Sequence, residues 1–397
     1  MNRRAFAKTA AAALFAPSIR NMDTPANQNY VGVRPPSPKF LAAVPNLMEL
    51  ADVPGIGIGV VRAGQPLWQY YAGVSNATTK TPINPDSLFP AASLGKQPFA
   101  FAVLRLADAG KLDLDRPLNQ YLSDDPITGP DGDRVTARHI LSHTSGLPNW
   151  RNNAKDPLLP SFTPGTKFRY SGEGFYHLQR VVETITGIGF EAWIETNLFT
   201  PLSITSSTYL WSATAKDHFV AGHYRDEPQI NTESRAALFA VIQSSNLPLS
   251  SWNHARIVQA MMQQSKTTAP PPPDDIVPNA AATLLTTVGD YTRFLTTLLD
   301  PHHTIGLSPA TRSAMETPAI RINSALSWGL GFGIEQAEEQ TFLWQWGDNG
   351  AWKNFLLAHP ATRSGIVIFT NGSNGAHIYE RIVRAATDID HPAFLWI

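Results

Sequence analysis

Ser93 and Lys96 stand three residues apart in Ser93-Leu94-Gly95-Lys96, and no other lysine of the chain follows a serine at that distance. On a helix, residues three apart share a face, so the hydroxyl and the amine can touch. A serine hydroxyl becomes a good nucleophile only when a neighbour takes its proton, and a lysine can do so only if its pKa falls from about 10.4. Burial or nearby positive charge would lower it. A serine in a first helical turn also has backbone N–H groups free to face a developing oxyanion. The chemistry is therefore attack on an ester or amide carbonyl. Other motifs fit less well. His139 and His143 are spaced like a helical zinc pair, but Ile140 occupies the place where that motif needs its glutamate. There is no Gly-x-Ser-x-Gly elbow. Gly55, Gly57 and Gly59 lack the third-glycine spacing and the following helix of a dinucleotide loop.

The pair needs a helix, and residues 93–112 supply one, with Phe99, Ala102, Val103 and Leu106 at helical spacing and Gly110 near the end. Pro98 falls early in it and is expected to cost a hydrogen bond or to kink the first turns. Upstream, residues 55–61 alternate small and branched side chains like a half-packed strand. The turn 62–65 leads into a second apolar run, 66–71, which predicts a hairpin. Helical patterns recur at 175–186, 190–197 and 288–299. Strand-like runs follow at 330–334, 342–346, 354–358 and 366–370, punctuated by Gly, Pro and Asn. The order predicts an α+β fold. Residues 30–115 and 280–397 form a discontinuous sheet domain, and residues 116–279 an inserted helical domain.

The chain of 397 residues is 43% hydrophobic, suited to a packed globular protein, with a formal net charge of -1 that gives nucleic acid nothing to bind. Cysteine is absent, which excludes disulfides and thiolate metal sites. No apolar run reaches the ~18 residues of a spanning helix, so stable membrane insertion is not expected. Residues 3–8, Arg-Arg-Ala-Phe-Ala-Lys, precede a short apolar stretch and resemble a twin-arginine export signal ending near residue 26. A periplasmic or secreted location is the expectation.

The surroundings of Ser93 carry a resemblance. The entry Pro82-Ile83-Asn84-Pro85-Asp86-Ser87-Leu88-Phe89-Pro90-Ala91-Ala92-Ser93 is similar to the approach to the nucleophile helix in class C β-lactamases, D-alanyl-D-alanine peptidases and related family VIII carboxylesterases. Ile140-Leu141-Ser142-His143-Thr144-Ser145-Gly146-Leu147, Phe168-Arg169-Tyr170-Ser171-Gly172, residues 282–287 with Asp290, and residues 328–333 follow in that family's order. The resemblance spans about residues 53–375. It implies a β-lactamase/penicillin-binding-protein-like fold, an antiparallel sheet domain flanked by helices plus the helical insertion. It also implies a serine hydrolase that forms an acyl-enzyme on Ser93 and needs no metal or cofactor. Tyr170 takes the place of the family's proton-relaying tyrosine, and His143 that of a structural turn residue.

Two departures bear on the substrate. The third family motif, usually Lys-Thr-Gly or His-x-Gly, corresponds to Trp346-Gly347-Asp348, which lacks a basic residue and adds an acid. The N–H of Asn349 would then be the second oxyanion donor beside that of Ser93. Gly172 replaces the family's substrate-binding asparagine. A carboxylate-bearing ligand would be opposed by Asp348. The expected substrate is therefore a small neutral ester or amide. The rival readings are a D-amino-acid peptidase or weak β-lactamase, and a non-hydrolytic module sensing peptidoglycan or antibiotics.

Overall fold

The computed structural model describes residues 18–21, 31–225, 227–229, 232–267, 270–271 and 277–397. The Arg3-Arg4 stretch behind the export expectation lies outside the described residues. Ten strands form one antiparallel sheet. In chain order they are β1 (Ser18–Asn21), β2 (Gly55–Arg62), β3 (Gln65–Asn76), β4 (Thr81–Pro82), β5 (Ile320–Arg321), β6 (Leu326–Trp328), β7 (Gly333–Ala337), β8 (Gln340–Asp348), β9 (Lys353–His359) and β10 (Ser364–Thr370). In space they run β1-β3-β2-β10-β9-β8-β7-β6-β5, with β4 on the flank of β3. The last strand of the chain, β10, thus pairs with β2, joining the two chain ends in one sheet.

Helices cover both faces: α1 (Pro38–Leu50), α2 (Lys96–Asp108), α3 (Gly172–Thr186), α4 (Val288–Leu299) and α5 (Gly375–Thr387). β2 shows how the layers are fitted. Ile56, Ile58 and Val60 point into a core with Val44 and Met48 of α1 and with Ile378 and Ile382 of α5. The glycines between them lie under α4. A Cβ on Gly59 would come within 2.2 Å of Thr292 and one on Gly57 within 2.6 Å of Val288. The alternation that reads as a half-packed strand is therefore a strand buried on both faces, its glycine face admitting the side chains of a helix at close range. On that side, α2, α3 and α4 share a second core containing Phe99, Phe101, Phe175, Leu178 and Phe294.

The expected β2–β3 hairpin forms, with Ala63 (φ 53) and Gly64 (φ 71) both left-handed at its turn, the pair that matches strand twist. Two local expectations are corrected. A single 3₁₀ turn, Ala92–Gly95, precedes α2, so Pro98 stands in the first turn of the helix, where a missing N–H does little harm. The carbonyl it leaves free, that of Leu94, accepts from Tyr291 Oη at 2.9 Å. The strand expected at 330–334 begins only at Gly333. Residues 330–332 form a loop in which Gly331 (φ 92) packs so tightly on α2 that a Cβ would lie 2.5 Å from Ala100. No helix among the described residues is long and apolar enough to cross a membrane.

Candidate active site

The 3₁₀ turn Ala92–Gly95 presents Ser93, and α2 begins at Lys96. Ala92 has φ 51 although it is not glycine, so the backbone is strained one residue before the serine. Strand β8 presses on this turn. A Cβ on Gly347 would lie 2.5 Å from the Ala91 carbonyl oxygen, which is why glycine stands there. Ser93 N–H, in the turn's opening, has no acceptor within that turn.

Lys96 is 1% exposed, and its Nζ lies 3.0 Å from Ser93 Oγ and 2.8 Å from the Ala281 carbonyl. That carbonyl is held in place because Asn279 Oδ1 accepts from the N–H groups of Ala281 and Ala282, and Gln179 Oε1 from that of Ala280. The ring faces of Tyr170 and Phe175 lie 4.9 and 5.8 Å from Nζ. Burial lowers the Lys96 pKa to about 7.

Tyr170 precedes α3, whose N-cap Ser171 accepts from Gly174 N–H and donates to the Pro148 carbonyl. Ser93 and Gln345 beside its phenol favour the ionised form, yet burial dominates and pushes its pKa well above the ordinary value. His143 stacks under the Tyr170 ring at 4.2 Å, and its Nδ1 accepts from Ser171 N–H at 3.1 Å. Burial first, and then the Lys96 charge, hold His143 well below its usual pKa. It is a neutral buttress, and no group of three or more His, Cys, Asp or Glu placed to hold a metal occurs among the described residues.

The geometry brings Ser93, Lys96 and Tyr170 together, and it shifts the third motif by one residue. Side chains on one face of a strand recur every second residue, so the partner of Gly347 on the face toward Ser93 is Gln345. Trp346 is on the other face. Gln345 is fully buried, and its Nε2 donates to Tyr170 Oη at 3.1 Å. Trp346 stacks on Tyr170 at 4.7 Å and packs with Trp344 and Trp396, forming an aromatic wall. Asn349 is not the oxyanion donor expected from the sequence, since its N–H goes to the Trp352 carbonyl and its Nδ2 to that of Ala282. Successive residues of an antiparallel strand point their N–H groups to opposite sides. The N–H of Asp348 therefore faces the edge that β7 has left open, its pairing having ended at Gly333 with Trp344. Asp348 itself is paired with Lys353 at 2.6 Å, so its charge is offset. At Gly172, a Cβ would sit 2.6 Å from the Trp150 ring, and the Gly172 N–H donates to Asn149 Oδ1. The indole fills the space a larger residue would need. Sequence reasoning missed Gln97 and Gln345. The strand alternation around Gly347 was the signal for the latter, while nothing local marked the former.

The beta-lactamase family matches residues 40–389. Among curated relatives, esterase EstB of Burkholderia gladioli is 28% identical over 201 residues, 43% of this chain and 50% of the esterase. Penicillin-binding protein 4 of Amycolatopsis lactamdurans is 31% identical over 173 residues, 40% of this chain and 45% of the relative. Both matches thus span half or less of the relative's length. Among solved structures, a D-alanine carboxypeptidase AmpC of Burkholderia cenocepacia superposes with a TM-score of 0.64 at 19% identity, covering 87% of this chain and 95% of that one. A class C beta-lactamase superposes at 0.66 with 18% identity, covering 87% and 94%. These two likenesses show the fold, an α+β arrangement of the β-lactamase and penicillin-binding-protein type. With its family match running almost end to end, the chain belongs to the beta-lactamase family of serine hydrolases.

Proposed function

We propose that the protein hydrolyses short, uncharged acyl esters through an acyl-enzyme on Ser93. The observation that carries this reading is the contact of Lys96 Nζ with Ser93 Oγ at 3.0 Å, made by a buried amine whose pKa has fallen to about 7. Near neutral pH much of the amine is unprotonated and can take the serine proton. Tyr170, its pKa raised by burial, is a phenol in the resting site, so Lys96 is the base and Tyr170 the proton donor. As the Oγ–acyl bond forms, the proton moves from Ser93 to Lys96. The N–H groups of Ser93 and Asp348 hold the oxyanion. As the carbon–oxygen bond to the alcohol breaks, the leaving oxygen takes the phenol proton, which the Lys96 ammonium replaces. Deacylation repeats these steps in reverse with water in the alcohol's place.

The choice of neutral esters rests on Gln345, an uncharged amide where a lysine would attract a carboxylate. That EstB is an esterase accords with it. A fluorophosphonate probe should label the wild type, and Ser93→Ala should lose labelling and turnover by on the order of 10⁴-fold. Short aryl esters should turn over well and cephalosporins poorly. Labelling that survives in Ser93→Ala, or better turnover of cephalosporins than of esters, would refute the proposal.

A further inference from the structure

We infer that Gln97 is a positioning residue that helps make Tyr170 a proton donor, by holding, together with the Trp346 carbonyl, the direction in which the carboxamide of Gln345 faces. This rests on the hydrolase reading above and deepens it. A backbone carbonyl can only accept a hydrogen bond, so carbonyls reveal the orientation of the amides beside them. The end of Gln97 that lies 3.0 Å from the Gly331 carbonyl must be Nε2. The same Nε2 lies 3.0 Å from the Gln345 amide, whose facing end must then be Oε1. The other end of Gln345 lies 2.7 Å from the Trp346 carbonyl, which independently requires Nε2 there. That Nε2 donates to Tyr170 Oη at 3.1 Å.

Tyr170 therefore receives a hydrogen bond from Gln345, so its own hydrogen points away from that amide. Ser93 can donate to the unprotonated Lys96. Donors run one way from Gln97 through Gln345 to Tyr170. The fold accepts a defect to keep this direction, since Gln97 Oε1 is buried without a partner. Reversing Gln97 would aim that oxygen at the Gly331 carbonyl and at Gln345 Oε1, so the orphan is the better arrangement. Buried orphan acceptors are uncommon and call for an explanation. The direction of the chain supplies one: with its oxygen accepting from Gln345, the phenol keeps its hydrogen free to be given up as the bond to the leaving oxygen breaks.

The test compares an alkyl ester and an aryl ester of the same acyl group. An alkoxide must be protonated to leave, whereas an aryl oxide leaves unaided, so only the alkyl ester depends on the donor. Gln97→Met keeps the approximate volume and removes both donor hydrogens. Gln97→Glu puts an acceptor opposite Gln345 and should turn its amide around. In both, kcat for the alkyl ester should fall by about tenfold more than kcat for the aryl ester, with KM within roughly threefold. Tyr170→Phe should show the same skew, and adding Gln97→Met to it should deepen the skew little. Fluorophosphonate labelling of Ser93 needs no protonated alcohol and should change by less than about threefold in the Gln97 variants. If Gln97→Glu fails to fold, Gln97→Met decides the matter. Equal losses on both esters, or an unchanged ratio, would show Gln97 to be only core packing and overturn the inference while the hydrolase reading stands. A wild type that neither labels nor turns over either ester would overturn both.

Discussion

Glu335 and His391, on the side of the sheet packed by the C-terminal segment, are both completely buried, and Lys96 beside Ser93 is nearly so. The first two are provided for at every point. Glu335 Oε1 meets His391 Nδ1 at 2.5 Å, Glu335 Oε2 accepts from Ala393 N–H, and His391 Nε2 meets Thr387 Oγ1. Lys96 has no carboxylate among its hydrogen-bond partners; it has a hydroxyl and one carbonyl. Buried polar groups with a full set of partners are well tolerated, and the pair ties the last residues of the chain to β7. A buried amine without an opposite charge sheds its proton easily, which suits a base. One scaffold thus uses burial for two ends, and what distinguishes them is how far the polar groups are satisfied.

The largest effect should come from removing the unsatisfied member. Lys96→Met should cut ester turnover by about 10³-fold or more, because Ser93 loses its base. The same change should stabilise the protein at neutral pH, on the order of 2 kcal/mol, since methionine suits a dry site better than an amine. The pH dependence gives a second check. The unfolded chain keeps the lysine proton up to about pH 10.4, the folded chain only to about 7. Between these values unfolding takes up a proton, so wild-type stability gains with rising pH, a contribution the variant lacks. The excess stability of Lys96→Met should therefore be greatest at and below pH 7 and shrink toward pH 10. A wild type more stable than the variant at pH 7 would contradict the account of Lys96 as an uncompensated buried amine. Wild-type kcat/KM should rise as pH passes through about 7, as the base form appears.

At the satisfied pair the sign reverses. Glu335→Ala leaves the Ala393 N–H and a histidine nitrogen without their acceptor in a closed core, and should cost about 3 kcal/mol. Chemical denaturation followed by tryptophan fluorescence would measure this. Below the transition, Ser93 labelling should stay within about threefold, because the pair touches none of the groups around the nucleophile. A stability change under about 1 kcal/mol would mean that the pair does not anchor the C-terminal segment.

The contrast also explains what was legible in the sequence. Ser93 and Lys96 could be found because a helix turns their spacing into contact, and Tyr170 because its neighbours carry a family pattern. The strands and the helix 288–299 showed through side-chain periodicity, a local property. The double burial of β2 was hidden because glycine at 57 and 59 looks like absence of packing when it is room for α4. Gln97, Gln345 and the Glu335–His391 pair were illegible because their partners lie 248 and 56 residues away in sequence. The misplaced oxyanion donor had a different source. Reading the motif as Trp346-Gly347-Asp348 centres it on its glycine, whereas the pleat of β8 puts Gln345 and Gly347 on one face and turns the Asp348 N–H to the open edge.

The ion pair of Asp348, at the end of β8, with Lys353, at the start of β9, extends the comparison to partly exposed groups and should give the smallest effects. Asp348 is 45% exposed and Lys353 19%, so solvent and salt weaken both their mutual attraction and their field at the site. While paired, they leave little net charge for a substrate to feel. Asp348→Asn would leave Lys353 uncompensated, and an ester bearing a carboxylate should then react a few-fold faster. Asparagine can still accept from Gly350 N–H as Asp348 Oδ1 does, so the turn should hold. Lys353→Met would leave the carboxylate uncompensated and slow the same ester a few-fold. A neutral ester of equal size should be unaffected by either change, and high salt should erase the difference between the two variants. If the neutral ester shifts as much as the charged one, or if both variants move the charged ester the same way, the pair acts through the shape of the β8–β9 turn and not through its field.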